Sequence, residues 1–98
     1  MITSEARVAT AMSARYMTQL CKHFEHKLPV SYDKEKGRIE FESGVCSMAA
    51  SPDLLILRAD AADEEKLGRL ENVVVRHLER FAFRDRPEIR WTRIGASA

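Results

Sequence analysis

Three histidines and a late run of arginines are the side chains here with chemistry to offer, and they fall on two segments of helical periodicity. At about 100° per residue, His23 lands at the edge of the apolar arc of a helix expected near 13–27, beside Tyr16. His26 lies about 60° further round, toward the polar side. His77 falls inside the apolar arc of a second helix expected near 63–82, between Leu70 and Val73. A histidine in an apolar stripe needs a hydrogen-bond partner or a ligand. His23 and His26, at i and i+3, can reach one metal ion, and His77 can join them if the two helices pack side by side. Three histidines would leave a coordination position open for water or substrate. Against a metal, no Asp or Glu stands ready as a further ligand, and a hydrogen-bonded core histidine uses the same pattern. Cys21 points about 160° away from His23, so the two are not a chelating pair.

Arg69, Arg76 and Arg80 project in one narrow stripe of the second helix, with Arg84 near its end. Arginine forks suit carboxylate and phosphate ligands. Glu65 precedes Arg69 by four and Glu79 follows Arg76 by three, which gives those arginines local acids. Arg80 has none, because the positions four away on either side are Arg76 and Arg84. The candidate ligand-binding set is therefore His23, His26, Lys27, His77, Arg80 and Arg84, with His77, His23 and Arg80 expected in one pocket. An anionic or metal-bearing small molecule fits that set. No Ser/His/Asp order, P-loop, GxGxxG or HExxH occurs, so no catalytic residue is assigned, an enzyme is the weakest of the readings, and the cofactor is left open. Asp60, Asp63, Glu64 and Glu65 gather where a helix begins, as the helix dipole favours.

The elements that must position these residues are legible in outline. Residues 6–11 are expected as a first strand, and Ser13 as the N-cap of the first helix. Tyr16, Met17, Leu20, Cys21 and Phe24 recur at three- and four-residue spacing, and Pro29 closes that helix. Leu28, Val30 and Tyr32 alternate; Ile39 and Phe41 alternate with Arg38, Glu40 and Glu42. Ser43-Gly44 suits a hairpin connection leading into 45–49, and Ser51-Pro52-Asp53 a turn leading into 54–59. Asp60 and Asp63 are cap candidates for the second helix, whose apolar positions are Leu67, Leu70, Val73, Val74, Leu78 and Phe81. Ile89, Trp91 and Arg93 form one face of a closing strand. The fold class is α+β, in the order β-α-β-β-β-β-α-β, with two helices on one face of an antiparallel sheet. Leu20, Phe24, Leu57, Leu70, Val74, Leu78 and Phe81 are the expected core.

With 98 residues, 45% hydrophobic and 32% charged, the chain is expected as one globular domain over 1–98. A net charge of +1 argues against general binding to nucleic acid or anionic membrane. Residues 1–17 carry Glu5, Arg7 and Arg15 and lack the apolar run of a secretory signal. No stretch approaches the ~20 apolar residues of a membrane helix. Cys21 and Cys46 lack CxxC spacing and are expected as free thiols, with the cytoplasm as location.

Two segments, Leu20-Cys21-Lys22-His23-Phe24-Glu25-His26-Lys27 and His77-Leu78-Glu79-Arg80-Phe81-Ala82-Phe83-Arg84, carry a family resemblance. With Gly37-Arg38-Ile39-Glu40-Phe41 between them and Trp91 near the end, the chain resembles the bacterial domain of unknown function twenty-two eighteen. Members of that family occur alone or joined to siderophore-interacting, flavin-dependent ferric reductase domains, which implies a link to iron acquisition. No catalytic residues come with the resemblance. The motif positions that transfer are His23, Phe24, His26, Lys27, His77, Arg80, Phe81 and Arg84. Two readings follow. One is an accessory module that binds an anionic or metal-bearing ligand in siderophore and iron handling. The other is an interaction domain that docks on a siderophore-interacting reductase or forms a homodimer, with the same residues structural.

Overall fold

The computed structural model describes residues 1–96. Its elements run β1 (Ile2–Ala9), α1 (Ser13–Phe24), β2 (Val30–Tyr32), β3 (Lys36–Phe41), β4 (Gly44–Ser51), β5 (Leu54–Ala61), α2 (Glu64–Phe81) and β6 (Trp91–Ala96). All six strands join one antiparallel sheet in the order β2-β3-β4-β5-β1-β6. The strands from β2 to β5 form a meander of short connections. β1 returns beside β5, and β6 closes on β1's outer side.

Period-two alternation sorts each strand into two faces. Ala6, Val8, Ile39, Cys46, Met48, Leu55, Leu57 and Ala59 turn to the helix side and are buried. Arg7, Arg38 and Arg58 point the other way and are exposed. Both helices cover the apolar face, α1 over β2 to β5 and α2 over β4, β5 and β1. α1 buries Tyr16, Met17, Leu20 and Cys21; α2 buries Leu67, Leu70, Val74 and Leu78. The order and the shared helix face follow the expectation. Five of the seven expected core residues are fully buried, whereas Phe24 and Phe81 are half-buried at the core's margin. Among the described residues no helix is long and apolar enough to cross a membrane.

Local details depart from the sequence reading. β1 starts at Ile2, four residues before the expected strand, because its polar residues find partners far along the chain. Thr3 donates to Asp60, and Ser4 donates to Glu71 of α2 at 2.6 Å. Ser13 is no cap: Met12 holds that position, and the Ser13 hydroxyl donates to the Ser51 carbonyl. At the start of α2, Asp63 accepts from the Lys66 N–H at 2.8 Å, while Asp60 belongs to β5. The hairpin connection is Glu42-Ser43, with Gly44 already paired to Phe41.

Gly68 sits mid-helix on an exposed surface, and a Cβ there would meet nothing within 4 Å. Its flexibility serves no packing purpose. Gly68→Ala is expected to raise stability by about 0.5–1 kcal/mol, read as a higher urea midpoint at unchanged m.

Candidate functional site

α1 and α2 lie side by side and run in opposite directions. The Tyr16 hydroxyl donates to Asp85 just past the end of α2, while His23, at the far end of α1, meets His77 one turn before that end. The row Val73, His77 and Phe81 recurs every four residues on α2 and lies half-buried beside the core row. That offset places His77 at the seam between the helices, at the edge of the apolar arc.

The seam holds a cluster of rings. His23 and His77 have centroids 4.9 Å apart at 48°. Phe24 stands 4.8 Å from His77 and 4.9 Å from both His23 and Phe41, and Phe81 lies 5.9 Å from His23. His77 Nδ1 is 2.8 Å from the Val73 carbonyl oxygen, which can only accept. Nδ1 therefore carries the proton, and in the neutral ring Nε2 keeps its lone pair. His23 makes no hydrogen bond among the described residues. Partial desolvation against its neighbours holds the His23 ring below the usual histidine range, and the positive fields of His77, Arg80, Lys27 and His26 lower it further.

The arginines sort by place. Arg7, Arg38, Arg58, Arg69, Arg90 and Arg93 each pair with an acid. The remaining arginines, Arg15, Arg76, Arg80, Arg84 and Arg86, form no ion pair among the described residues, and all belong to α1 or to the last turns of α2 and the segment after it. Arg69 takes Glu65 as expected, at 2.8 Å. Arg76 and Glu79 share a cleft with Val73, His77 and Arg80 without pairing.

Of the sequence-derived set, His23 and His77 meet directly, and Lys27, His26 and Arg80 act on His23 through charge. Arg84 lies elsewhere. It lines a neighbouring groove with Met12, Arg15, Tyr16, Gln19, Phe81, Phe83 and Asp85, its guanidinium 5.5 Å from the Phe83 ring centre. Phe81 borders both places. The divergence arises because α2 ends at Phe81: Asp85 accepts from Thr10, in the connection before α1, at 2.6 Å and from Tyr16 of α1 at 3.3 Å, and Arg86 takes a positive φ of 44°. Burial and the Asp85 carboxylate together hold the Tyr16 hydroxyl above its usual range. Arg15 and Gln19 carried no sequence signal, since neither breaks a helical pattern. Gln19 Oε1 is covered and has no hydrogen-bond partner among the described residues.

Among the described residues, no group of three or more His, Cys, Asp or Glu is placed to hold a metal ion. His26 is exposed in the turn after α1 and touches neither of the other histidine rings. The cysteines are inside the core: burial pushes the Cys21 thiol up to about 11 and the Cys46 thiol up to about 12. Neither is a thiolate near neutral pH.

No curated protein matches the chain. Among solved structures, the NMR structure of PA4090 from Pseudomonas aeruginosa is 38% identical, with a TM-score of 0.80 over 94% of this chain and 96% of that one. Residues 5–92 match a family described as uncharacterized protein conserved in bacteria, and they include both helix motifs and the histidine seam. The chain belongs to that family, domain of unknown function 2218 (DUF2218).

Proposed function

We propose that this domain is a binding module for an anionic small molecule, taken at the seam where His23 and His77 meet beside Arg80. The observation that carries the reading is the sorting of arginines. Six arginines elsewhere each have an acid, whereas Arg76 and Arg80, which line the cleft with His77, form no ion pair among the described residues. An unpaired guanidinium offers its full fork to a carboxylate or phosphate. Lys27 adds charge at the end of α1, and His23 and His77 add more when protonated. The family resemblance makes a ferric siderophore the first chelate to try, with an accessory role in iron handling as the wider reading.

The test is calorimetric titration of the protein with an anionic ferric siderophore and, separately, with inorganic sulfate. Arg80→Gln should weaken binding roughly 10- to 100-fold, the value of one charge-assisted hydrogen bond of about 1.5–3 kcal/mol. Sulfate keeps its charge between pH 8 and pH 5, so its pH profile isolates the protein. The His23 ring is held below the ordinary histidine range, so it is neutral at pH 8 and gains its proton only as pH falls below about 6.5. Sulfate affinity should therefore rise as pH falls, and His23→Gln should flatten part of that rise. A flat profile in the parent protein, or unchanged affinity in Arg80→Gln, overturns the reading.

A second reading, a docking module for a reductase or for a second copy, is favoured by two exposed apolar side chains at the neighbouring groove. Met12 is 37% and Phe83 63% exposed. Sedimentation across a wide concentration range tests self-association, which Phe83→Ser should abolish.

A further inference from the structure

The histidine pair has a geometry that anion binding does not require. Two imidazoles sharing one metal at about 2.0–2.1 Å per bond have ring centres roughly 4.5–5.2 Å apart, for angles at the metal from square to tetrahedral. His23 and His77 stand at 4.9 Å. The bond from His77 Nδ1–H to the Val73 carbonyl is the outer-shell contact that fixes the tautomer of metal-binding histidines and frees Nε2. His23 has no protein hydrogen bond among the described residues to compete for its nitrogens. Phe24 packs against both rings and Phe81 against that of His23. Among the described residues no third protein ligand joins them, so two or more coordination positions stay open.

We infer that His23 and His77 form a two-histidine site for a late first-row divalent metal, bound together with an anionic chelator that completes the coordination sphere. Imidazole suits copper, nickel and zinc. The positive charges of Arg80 and Lys27, whose fields act on His23, oppose a bare cation and favour a metal that arrives with negative charge. Glu79 lines the same cleft as Arg80 and is the nearby acid. The inference rests on the anion-binding reading for its co-ligand. It adds a metal, held by His77 Nε2 and one ring nitrogen of His23, from separate helices.

The experiment uses untagged protein and copper(II)–nitrilotriacetate, an anionic chelate with coordination positions left for imidazole. Electron paramagnetic resonance should show two imidazole nitrogens on the copper in the parent protein, a readout that needs no variant. His23→Gln and His77→Gln should each leave one nitrogen and weaken binding at least about tenfold, with helical circular dichroism retained. His26→Gln should leave both nitrogens on the copper. Arg80→Gln should weaken the anionic chelate more than it weakens free copper(II). One nitrogen or none in the parent protein, or loss of a nitrogen in His26→Gln, overturns the inference. If Arg80-dependent binding of sulfate or siderophore persists while the copper chelate shows no histidine nitrogens, the metal site falls and the anion site stands. If the two-nitrogen signal appears without any Arg80 dependence, the metal site stands and the anion reading falls.

Discussion

Leu78→Ala should lower the free energy of unfolding by roughly 2–5 kcal/mol. Leu78 is fully buried at the C-terminal end of the α2 row that also buries Leu67, Leu70 and Val74. Truncation removes its apolar transfer energy and leaves a cavity, because the strands beneath are held by hydrogen bonds and cannot follow the missing methyls. A domain of this size has about 5–15 kcal/mol in total, so one substitution removes a large share. α2 has little reserve, since Gly68 already weakens it by about 1 kcal/mol relative to Ala. At about 4–8 °C per kcal/mol for a domain of 60–100 residues, the melting temperature should fall by roughly eight degrees or more. Urea melts at unchanged m give the number directly, and a loss below about 1 kcal/mol would show that α2 is not seated on the sheet as described.

The comparison with Phe81→Ala is informative because the two side chains differ in place. Phe81 is half-buried, borders His23, and lines the groove that holds Arg84. Its truncation should cost less stability than that of Leu78 while disturbing the histidine pair more. Stability and ligand affinity thus separate across one helix: the 67–70–74–78 row holds the fold, and the 73–77–81 row shapes the seam.

That division was only partly readable in the sequence. A 3.6-residue stripe reports which residues leave water, so both helices, and the proximity of His23 to His77, were within reach of periodicity. The stripe does not distinguish a row facing the sheet from one facing a neighbouring helix. Phe24 and Phe81 were therefore read as core, whereas they flank the seam. The start of β1 was hidden for a different reason. Thr3 and Ser4 look like a loop until Asp60 and Glu71, more than fifty residues away, supply their partners. Arg80 was visible through what its own helix lacks at i±4. Arg15 was not, because being unpaired is a property of the folded surface. Arg84 separates from Arg80 because α2 stops at Phe81, and nothing local in Ala82-Phe83-Arg84 announces that stop. It is set by Thr10 and Tyr16 pulling on Asp85.

Gly44→Ala should destabilise the domain by roughly 2–5 kcal/mol, combining overpacking with backbone strain. Gly44 opens β4 where the sheet passes under α2, and its φ of 157° is one that side-chain-bearing residues rarely take. A Cβ there would stand 2.2 Å from the Asp60 carbonyl oxygen, 3.2 Å from the Ala61 Cα and 3.1 Å from a Leu70 methyl. The first two are backbone atoms of β5 and cannot rotate away. Asp60 is also tied by its side chain to Thr3 and Arg58, and Val45 pairs with it across the ladder. Relief must come from peeling the end of β4 off β5 or lifting Leu70, and with it α2, from the sheet. Either movement reaches the seam through α2, so the variant should lose ligand affinity along with stability. That coupling distinguishes it from Gly68→Ala, which touches nothing and should leave binding unchanged. Urea melts and the sulfate titration, run on both variants, check the pair. Wild-type stability in Gly44→Ala would mean that the β4–β5 end opens freely and does not hold α2 in place.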